Sequence, residues 1–144
     1  GVDADRLGVV GTSLGSFVGG VLAAAEPRLG TACLLLGGGG LVDAFWNHPR
    51  AAPFTPVLQL FGVTKEALGR QIAPVDPLTY ADRLRGKRLL LVAASRDDVV
   101  PPAAMKRLWE ATGKPKIVWF DATHVGAAAY ALPGLRAVLE HVTR

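Results

Sequence analysis

The sequence predicts an α/β protein in which a parallel sheet is flanked by helices on both faces. Short segments of strand length alternate along the chain with longer, helix-forming segments. Several of the short segments are apolar at nearly every residue, as strands are when both faces of a parallel sheet are covered. The chain has 144 residues, which is about one domain, and no repeat, low-complexity segment or internal linker divides it.

The first part of the chain is predicted to form a strand, a helix and a second strand. LGVVG, residues 7–11, is a short apolar run that ends at a glycine. Residues 14–25 are apolar nearly all round and rich in alanine, which favours a buried helix, and Pro27 follows its end. TACLLLG, residues 31–37, is predicted to be the second buried strand, and the glycine run continues to residue 40.

The middle of the chain is less regular. Residues 41–48 predict a short helix or turn, and residues 49–60, with three prolines, predict a loop. A threonine stands in front of a helix-forming run at residues 64–72. Residues 74–84, with two prolines, predict a short helical turn.

The last part returns to the alternation of strand and helix. KRLLLVAAS is the clearest strand of the chain, and the helix after it opens with two prolines, which suit a first turn. A last strand and a terminal helix follow, and the helix is expected to break at Pro133 and Gly134. The four segments are residues 87–95, 101–112, 116–122 and 127–144.

Composition excludes several classes of protein. Half of the residues are apolar and the mean hydropathy is +0.30, which excludes a disordered, solvated chain. No apolar run reaches the roughly 20 residues of a membrane span. The net charge of +4 would suit nucleic acid, but the lysines and arginines are scattered, so we expect no nucleic-acid partner. Nucleic-acid binding stays an alternative that steep salt dependence would reveal.

The sequence predicts no metal site and no cofactor. Its single cysteine, Cys33, excludes an intrachain disulfide, and its apolar surroundings predict a buried, inert thiol. The three histidines are far apart and form no HxH or HExxH pattern, and the glycine run lacks the GK[ST] of a phosphate-binding loop. Residues 1–11 do not resemble a signal peptide, and we interpret Gly1 as an internal starting point, so the compartment is not predicted.

The strongest motif is Gly11-Thr12-Ser13-Leu14-Gly15, a match to G-x-S-x-G between a predicted strand and a small-residue helix. This is the setting of a nucleophile elbow, in which a tight, strained turn exposes the serine Oγ at the end of a sheet. Both glycines are expected to avoid clashes, and the Leu14 N–H is expected to donate to an oxyanion. The alternative is an ordinary glycine-rich turn with an N-cap serine.

A serine nucleophile needs a base, and the base needs an orienting carboxylate. Asp97 follows the strand KRLLLVAAS, and His124 follows the strand KIVWFDA. Because the carboxyl ends of parallel strands meet at one edge, these side chains are expected to lie near Ser13. The order serine, acid, histidine is that of the α/β-hydrolases.

Other acidic residues leave alternatives open. Asp98 competes with Asp97 as the acid, and either could instead cap the helix that opens at Pro101. Asp43 follows the second strand and is a reserve candidate for the acid, whereas Asp76, between prolines, is interpreted as a turn residue.

The histidines differ in their setting. His124 could also be a loop histidine with a satisfied hydrogen bond. His48 precedes a proline in a loop and His141 lies on the terminal amphipathic helix, so neither is expected to be catalytic.

Three segments, DADRLGVVGTSLGSF, LLLVAASRDDVVP and FDATHVG, resemble the carboxyl-terminal half of an α/β-hydrolase of the esterase or acyl-peptidase-like kind. The resemblance covers nearly the whole chain and implies one partial domain, residues 1–144. It also implies that Ser13 is the nucleophile, that His124 is the general base and then the acid, and that Asp97 is the orienting carboxylate. Ala94 stands where the family has a glycine ahead of the acid.

The resemblance further implies a variable insert at about residues 43–84. The aromatic residues of this insert could line an acyl pocket, and ordinary packing is the competing interpretation for each of them. They are Phe45, Trp46, Phe54, Phe61 and Tyr80.

The front of the chain departs from the family pattern. In the family several strands precede the elbow, and a loop there supplies a second oxyanion donor, whereas few residues precede Ser13 here. The strand at residues 7–11 is therefore expected to be an exposed apolar edge, in a fragment that lacks the N-terminal strands.

The resemblance implies a serine hydrolase that cleaves small-molecule carboxylic esters through an acyl-enzyme. An acyl-peptidase-like hydrolase is one alternative, and a non-catalytic or truncated α/β-hydrolase-like module is another. The acyl and alcohol specificity and the oligomeric state are not predicted.

Overall fold

A four-stranded parallel sheet forms the centre of the molecule. The computed structural model describes residues 7–46 and 48–143. The strands are β1 (Leu7–Thr12), β2 (Leu29–Leu35), β3 (Arg88–Ala94) and β4 (Lys116–Phe120), and their spatial order follows the chain. Each neighbouring pair is parallel. The predicted α/β class and parallel sheet are confirmed.

Seven helices connect and cover the strands. They are α1 (Leu14–Ala25), α2 (Leu41–Phe45), α3 (Thr55–Leu60), α4 (Lys65–Ile72), α5 (Ala81–Arg85), α6 (Pro102–Ala111) and α7 (Ala131–Val142) in the described part of the chain. Three 3₁₀ segments accompany them, at Ala73–Val75, Pro77–Tyr80 and Gly126–Tyr130. The threonine ahead of α4 is its N-cap, because Thr64 Oγ1 accepts a hydrogen bond of 3.1 Å from the backbone N of Ala67.

Strand β3 shows why the sheet is covered on both faces. Successive side chains of a strand point to opposite faces. Leu89 and Leu91 are packed in one core cluster with residues of α1 and α6. Leu90 and Val92 are packed in another with Val138 of α7. The unbroken apolar run of this strand therefore fills two cores.

Cys33 of β2 is fully buried in the α7-side cluster. Burial raises the pKa of its thiol, because the thiolate is poorly solvated there. The prediction of a buried thiol is confirmed, and the raised pKa opposes reactivity at neutral pH.

Two predictions based on proline were wrong. The segment predicted as a loop contains α3, in which Pro56 occupies the first turn. Helix α7 runs through Pro133 and Gly134 without a break, and Pro133 also lies in the first turn. The first backbone N–H groups of a helix have no intrahelical acceptor, so a proline there removes no hydrogen bond.

The apolar composition of helix α1 predicts that it is buried on all sides, but the structure shows that one side is exposed. Its inner side carries the buried residues Phe17, Ala23 and Ala24. Leu14, Val18 and Leu22, one turn apart from each other, are 75%, 60% and 47% exposed. An all-apolar pattern cannot indicate which side finds a partner, and the described residues cover only one.

Three glycines in the loop between β2 and α2 lie so close to neighbouring elements that a side chain would not fit. A Cβ on Gly37 would lie 2.2 Å from Ser16 Oγ, and one on Gly38 would lie 2.6 Å from the carbonyl carbon of Ala104 in α6. A Cβ on Gly39 would lie 2.8 Å from Leu78 Cβ. The glycine run is therefore a close approach of backbone to α1, α6 and the Pro77–Tyr80 segment.

Asp76 is the buried acceptor that fixes the end of this loop. Its carboxylate accepts hydrogen bonds from the backbone N of Gly40, Leu41 and Leu78, at 3.0, 2.6 and 2.9 Å. The interpretation of Asp76 as a turn residue was incomplete, because it caps the 3₁₀ segment and also the start of α2. It thereby connects the backbone just ahead of the predicted insert to the later part of that insert.

No helix in residues 7–46 and 48–143 is long and apolar enough to cross a membrane.

Candidate active site

Ser13 occupies a strained turn between β1 and α1. Its φ of 54° and ψ of −119° lie in a backbone region that residues other than glycine rarely adopt. Gly11 makes the turn tight, because a Cβ there would lie 2.0 Å from the carbonyl oxygen of Gly15. Gly15 itself is not required for space, since an added Cβ would meet no described atom within 4 Å. The expectation that both glycines avoid clashes was therefore right for Gly11 and wrong for Gly15.

The backbone around Ser13 is tied to the sheet and to α1. Its N–H donates to the carbonyl oxygen of Leu35 at the end of β2, at 2.9 Å, and its own carbonyl accepts from the N–H of Ser16, at 2.9 Å. Leu14 is the first residue of α1, so its N–H has no intrahelical acceptor. This N–H lies at the start of the helix, which is the positive end of its dipole.

The side chains of Ser13, His124 and Asp97 form one hydrogen-bonded chain. Ser13 Oγ lies 2.9 Å from His124 Nε2, and His124 Nδ1 lies 2.7 Å from Asp97 Oδ2. Ser13 follows β1, Asp97 follows β3 and His124 follows β4. The structure thus brings together the three residues that the sequence singled out, at the carboxyl edge of the sheet.

The second carboxylate oxygen of Asp97 holds its own loop. Asp97 Oδ1 accepts hydrogen bonds from the backbone N of Val99 and Val100, at 2.9 and 2.7 Å. Asp97 is 9% exposed. Its loop is also tied to the end of β4, where Ser95 N donates to the Phe120 carbonyl. The carboxylate therefore reaches His124 from a fixed position.

The proposed capping of α6 by Asp97 or Asp98 is not observed. The N-cap of α6 is Pro101, and no described side chain caps it. Asp98 instead accepts a hydrogen bond from the backbone N of His124 at 3.3 Å and pairs with Arg50 at 3.3 Å. The His124 N–H, the N–H of Asp98 itself and the Arg50 charge hold the pKa of Asp98 below its usual range.

The other candidate residues lie elsewhere. Asp43 pairs with Lys65 at 2.6 Å, and this contact lowers the pKa of Asp43. His48 Nδ1 accepts from the backbone N of Arg50 at 3.2 Å, and His141 Nε2 lies 3.2 Å from the carbonyl of Arg88. Both histidines are thus engaged in local backbone contacts.

Two apolar clefts open at Ser13. One, of about 740 Å³, is lined by residues that include Leu14, Phe17, Leu41, Phe45 and Val100. The other, of about 750 Å³, lies on the α7 side of the sheet, and Ser13 and His124 border it together. A nucleophile at Ser13 would therefore have apolar surface on both sides.

Only one of the five aromatic residues of the insert borders a cleft that opens at Ser13. Phe45 lines the first of these clefts. Phe45 also lines a smaller cleft of about 310 Å³, together with Trp46 and Phe54. Phe61 is exposed, and Tyr80 packs against the main core. Of the five aromatic residues that were expected to line an acyl pocket, Phe45 is the one that borders a cleft at Ser13.

The described part of the chain contains no group of three or more His, Cys, Asp or Glu side chains that could hold a metal ion.

The chain is similar in sequence to uncharacterised proteins and similar in fold to several solved structures. No family model matches the chain. Two uncharacterised proteins, from two strains of Mycobacterium tuberculosis, are 32% identical to it over 120 residues, which are 83% of this chain and 28% of each relative. The chain thus spans about 28% of the length of the curated relatives that it matches.

Three solved structures illustrate the similarity of fold. A puromycin-hydrolysing peptidase of Mycobacterium tuberculosis has a TM-score of 0.78 and 23% identity, over 98% of this chain and 22% of the peptidase. Acetyl xylan esterase 1 of a Thermoanaerobacterium species has a TM-score of 0.73 and 21% identity, over 99% of this chain and 46% of the esterase. An esterase of Pyrococcus furiosus has a TM-score of 0.67 and 18% identity, over 97% of this chain and 54% of the esterase. The chain has a partial α/β-hydrolase fold.

Proposed function

We propose that this chain carries the catalytic residues of a serine hydrolase that cleaves carboxylic esters through an acyl-enzyme intermediate. The observation that carries the proposal is the hydrogen-bonded chain from Ser13 through His124 to Asp97. It begins at a strained strand-to-helix turn, and all three residues follow strands of one parallel sheet. The same arrangement of serine, histidine and carboxylate occurs on unrelated folds. It is therefore identified by its geometry and by the roles of its residues.

The first half of the reaction follows from the positions of the protons. Asp97 Oδ2 accepts a hydrogen bond from the Nδ1–H of His124, which keeps the proton on Nδ1, so Nε2 presents a lone pair to the Ser13 hydroxyl. Ser13 Oγ attacks the ester carbonyl carbon as its proton moves to Nε2, and the Leu14 N–H donates to the oxyanion that forms. The resulting imidazolium is stabilised by the Asp97 carboxylate.

The second half returns the enzyme to its starting state. The imidazolium gives its proton to the leaving oxygen as the carbon–oxygen bond breaks, the alcohol departs, and the acyl group stays on Ser13. Water then attacks the acyl-enzyme, loses a proton to Nε2, and the acid leaves as that proton returns to Ser13 Oγ. No cofactor is required for this sequence of steps.

The position of His124 orients the substrate between the two clefts. The leaving oxygen must come within hydrogen-bond reach of Nε2, so the alcohol lies on the side of the cleft that His124 borders. The acyl group then extends to the opposite side, toward Leu14, Phe17 and Phe45. Because these walls are apolar, we expect esters of apolar acids to be better substrates than esters of charged ones.

Amide hydrolysis is the second candidate activity. The same residues could cleave an amide if His124 protonated the leaving amine. The similarity of fold to a puromycin-hydrolysing peptidase, at a TM-score of 0.78, favours this alternative. Parallel assays with p-nitrophenyl esters and p-nitroanilides of the same acids distinguish the two.

The test is labelling of the full-length protein by a fluorophosphonate, followed by intact-mass analysis. We expect a single adduct that Ser13→Ala abolishes, and a loss of ester hydrolysis of about 10⁴- to 10⁶-fold. Ser95→Ala is the matched control, because Ser95 lies in the same edge region and its Oγ donates to Asp121.

Two outcomes would contradict the proposal. Unchanged ester hydrolysis by Ser13→Ala would exclude Ser13 as the nucleophile. A wild-type protein that melts cooperatively but takes up no label would favour the non-catalytic α/β-hydrolase-like module.

A further inference from the structure

Two consecutive carboxylates hold His124 at two different points. Asp97 Oδ2 binds the imidazole at Nδ1, at 2.7 Å. Asp98 Oδ1 accepts the backbone N–H of the same histidine, at 3.3 Å. The first contact orients the ring, and the second connects the main chain of His124 to the loop that follows β3.

The Asp98 contact restrains one side of a short loop. After His124 the chain is held by Thr123, whose Oγ1 accepts from the backbone N of Gly126 at 3.1 Å and whose carbonyl accepts from the N of Ala127 at 3.0 Å. These bonds fix the segment that follows the histidine. The hydrogen bond to Asp98 is made by the backbone N–H of His124 itself. It therefore restrains the main chain that carries the imidazole ring toward Ser13.

Arg50 places the Asp98 carboxylate. Its guanidinium NH2 lies 3.3 Å from Asp98 Oδ2, which leaves Oδ1 for the histidine. Arg50 belongs to the turn after α2, and its own N–H donates to His48 Nδ1. The insert is thereby connected through Asp98 to the histidine loop.

The ion pair between Arg50 and Asp98 is too exposed to contribute much to the free energy of folding. The side chains of Arg50 and Asp98 are 67% and 55% exposed, and exposed ion pairs contribute little to folding. An ionised carboxylate is nevertheless a strong acceptor for a backbone N–H, and the same contacts that lower the pKa of Asp98, first among them the His124 N–H, favour its ionised form.

We propose that Asp98 is a positioning residue for His124 and that Arg50, from the insert, holds it in place. The inference rests on the proposed function, because it assigns Asp98 an effect on the base of that reaction. A misplacement of about 1 Å at a reacting group can lower a rate by about 100-fold. The arrangement makes the chemical steps depend on how the insert is docked.

The first experiment compares variants of the full-length protein in ester hydrolysis. We expect Asp98→Ala to lower kcat by about 10- to 100-fold at nearly constant KM, since Asp98 borders neither apolar cleft. Asp98→Asn keeps an oxygen acceptor and should restore most of kcat, and Arg50→Ala should fall between them. The control is Asp121→Ala, because Asp121 is an exposed acid of the same region that pairs with Arg96.

The second experiment does not depend on turnover. The hydrogen-bonded Nδ1 proton of His124 is observable far downfield in proton NMR, and we expect it to shift or broaden in Asp98→Ala but not in Asp121→Ala. If Asp98→Ala folds poorly, Asp98→Asn and Arg50→Ala carry the comparison.

The outcomes separate the two proposals. Wild-type kcat together with an unchanged His124 signal in Asp98→Ala would overturn the positioning role. Equal loss of kcat in Asp98→Asn and Asp98→Ala would also overturn it, because charge and not the hydrogen bond would then act. A wild-type protein that takes up no fluorophosphonate would contradict the hydrolase, while the NMR signal would still test whether Asp98 positions the ring.

Discussion

Asp97 uses its two oxygens for two purposes, and substitutions can separate them. Asp97→Asn keeps an oxygen that can accept from Val99 and Val100, but it no longer fixes the His124 tautomer. We expect it to fold normally and to lose about 10⁴-fold in kcat. Asp97→Ala should lose activity and, in addition, about 1–3 kcal/mol of stability, because two backbone N–H groups lose their acceptor.

The measurements for this pair are kcat and the unfolding free energy in urea. The prediction would be wrong if Asp97→Ala were as stable as the wild type, since Asp97 Oδ1 would then not hold the loop. Asp121→Asn serves as the control for the loss of one negative charge near the site, and it should change neither quantity.

Ser13 stores backbone strain at the proposed nucleophile. Its φ of 54° is unfavourable with any Cβ and is relieved by glycine. Ser13→Gly should therefore be more stable than Ser13→Ala by about 1 kcal/mol, although both lack the hydroxyl. Thermal melts of the two inactive variants measure the difference, and equal melting temperatures would show that the turn is unstrained in solution.

The sequence could predict the meeting of Ser13, Asp97 and His124, because strand ends in a parallel sheet share one edge. Residue type and spacing left Asp98 as a competitor of Asp97, and only the resemblance to the family favoured Asp97. Neighbouring residues have the same distance from the strand, and the choice depends on the direction of each side chain. That direction is set by the backbone N–H groups of Val99 and Val100, which no residue pattern specifies.

At the scale of the elements, the glycine loop after β2 places α2 and the wall residues Leu41 and Phe45. Gly38→Ala would place a Cβ 2.6 Å from the Ala104 carbonyl carbon and 2.8 Å from the Met105 N of α6. Neither backbone atom can move without shifting the helix, so we expect a loss of about 1–3 kcal/mol.

Gly69→Ala is the matched control for that substitution. Gly69 lies within α4, and an added Cβ meets no described atom within 4 Å. It should raise stability by about 0.5–1 kcal/mol, because alanine loses less conformational entropy in a helix. Urea unfolding of both variants checks the signs, and a Gly38→Ala variant as stable as the wild type would contradict the packing described for this loop.

The strands and helices differed in how clearly the sequence indicated them. Strand β3 was clear because burial on both faces leaves an unbroken apolar run. Helices α3 and α7 were misjudged because proline stops a helix in its interior but not in its first turn, and the sequence does not reveal where a helix begins. The helix-forming run behind Thr64 was recognised correctly, and the cap that this threonine forms acts locally, on the backbone N of Ala67.

At the scale of the whole molecule, apolar surface surrounds the edge strand β1. Val10 of this strand is 55% exposed, and in residues 7–46 and 48–143 only β2 pairs with the strand. Leu135 of α7 lines the same cleft as Val10, and α7 also exposes Leu132 and Leu139. Together with Leu14, Val18 and Leu22 of α1 these residues form an apolar face that the described residues leave uncovered. The sequence predicted the apolar edge strand, but not that both flanking helices would share in it.

This face makes a prediction about the 144-residue chain in isolation. An exposed strand edge beside apolar helix faces favours association, so we expect the chain to bind a dye such as ANS and to self-associate as its concentration rises. Val18→Gln and Leu22→Gln should lower dye binding with little change in melting temperature, because these side chains already contact water. Leu91→Gln, at a fully buried position, should instead unfold the chain, since a buried amide would lack hydrogen-bond partners. Sedimentation and thermal melts follow both effects. A monomeric wild-type chain without dye binding would contradict the prediction, and large destabilisation by Val18→Gln would show that the outer face of α1 is packed in solution.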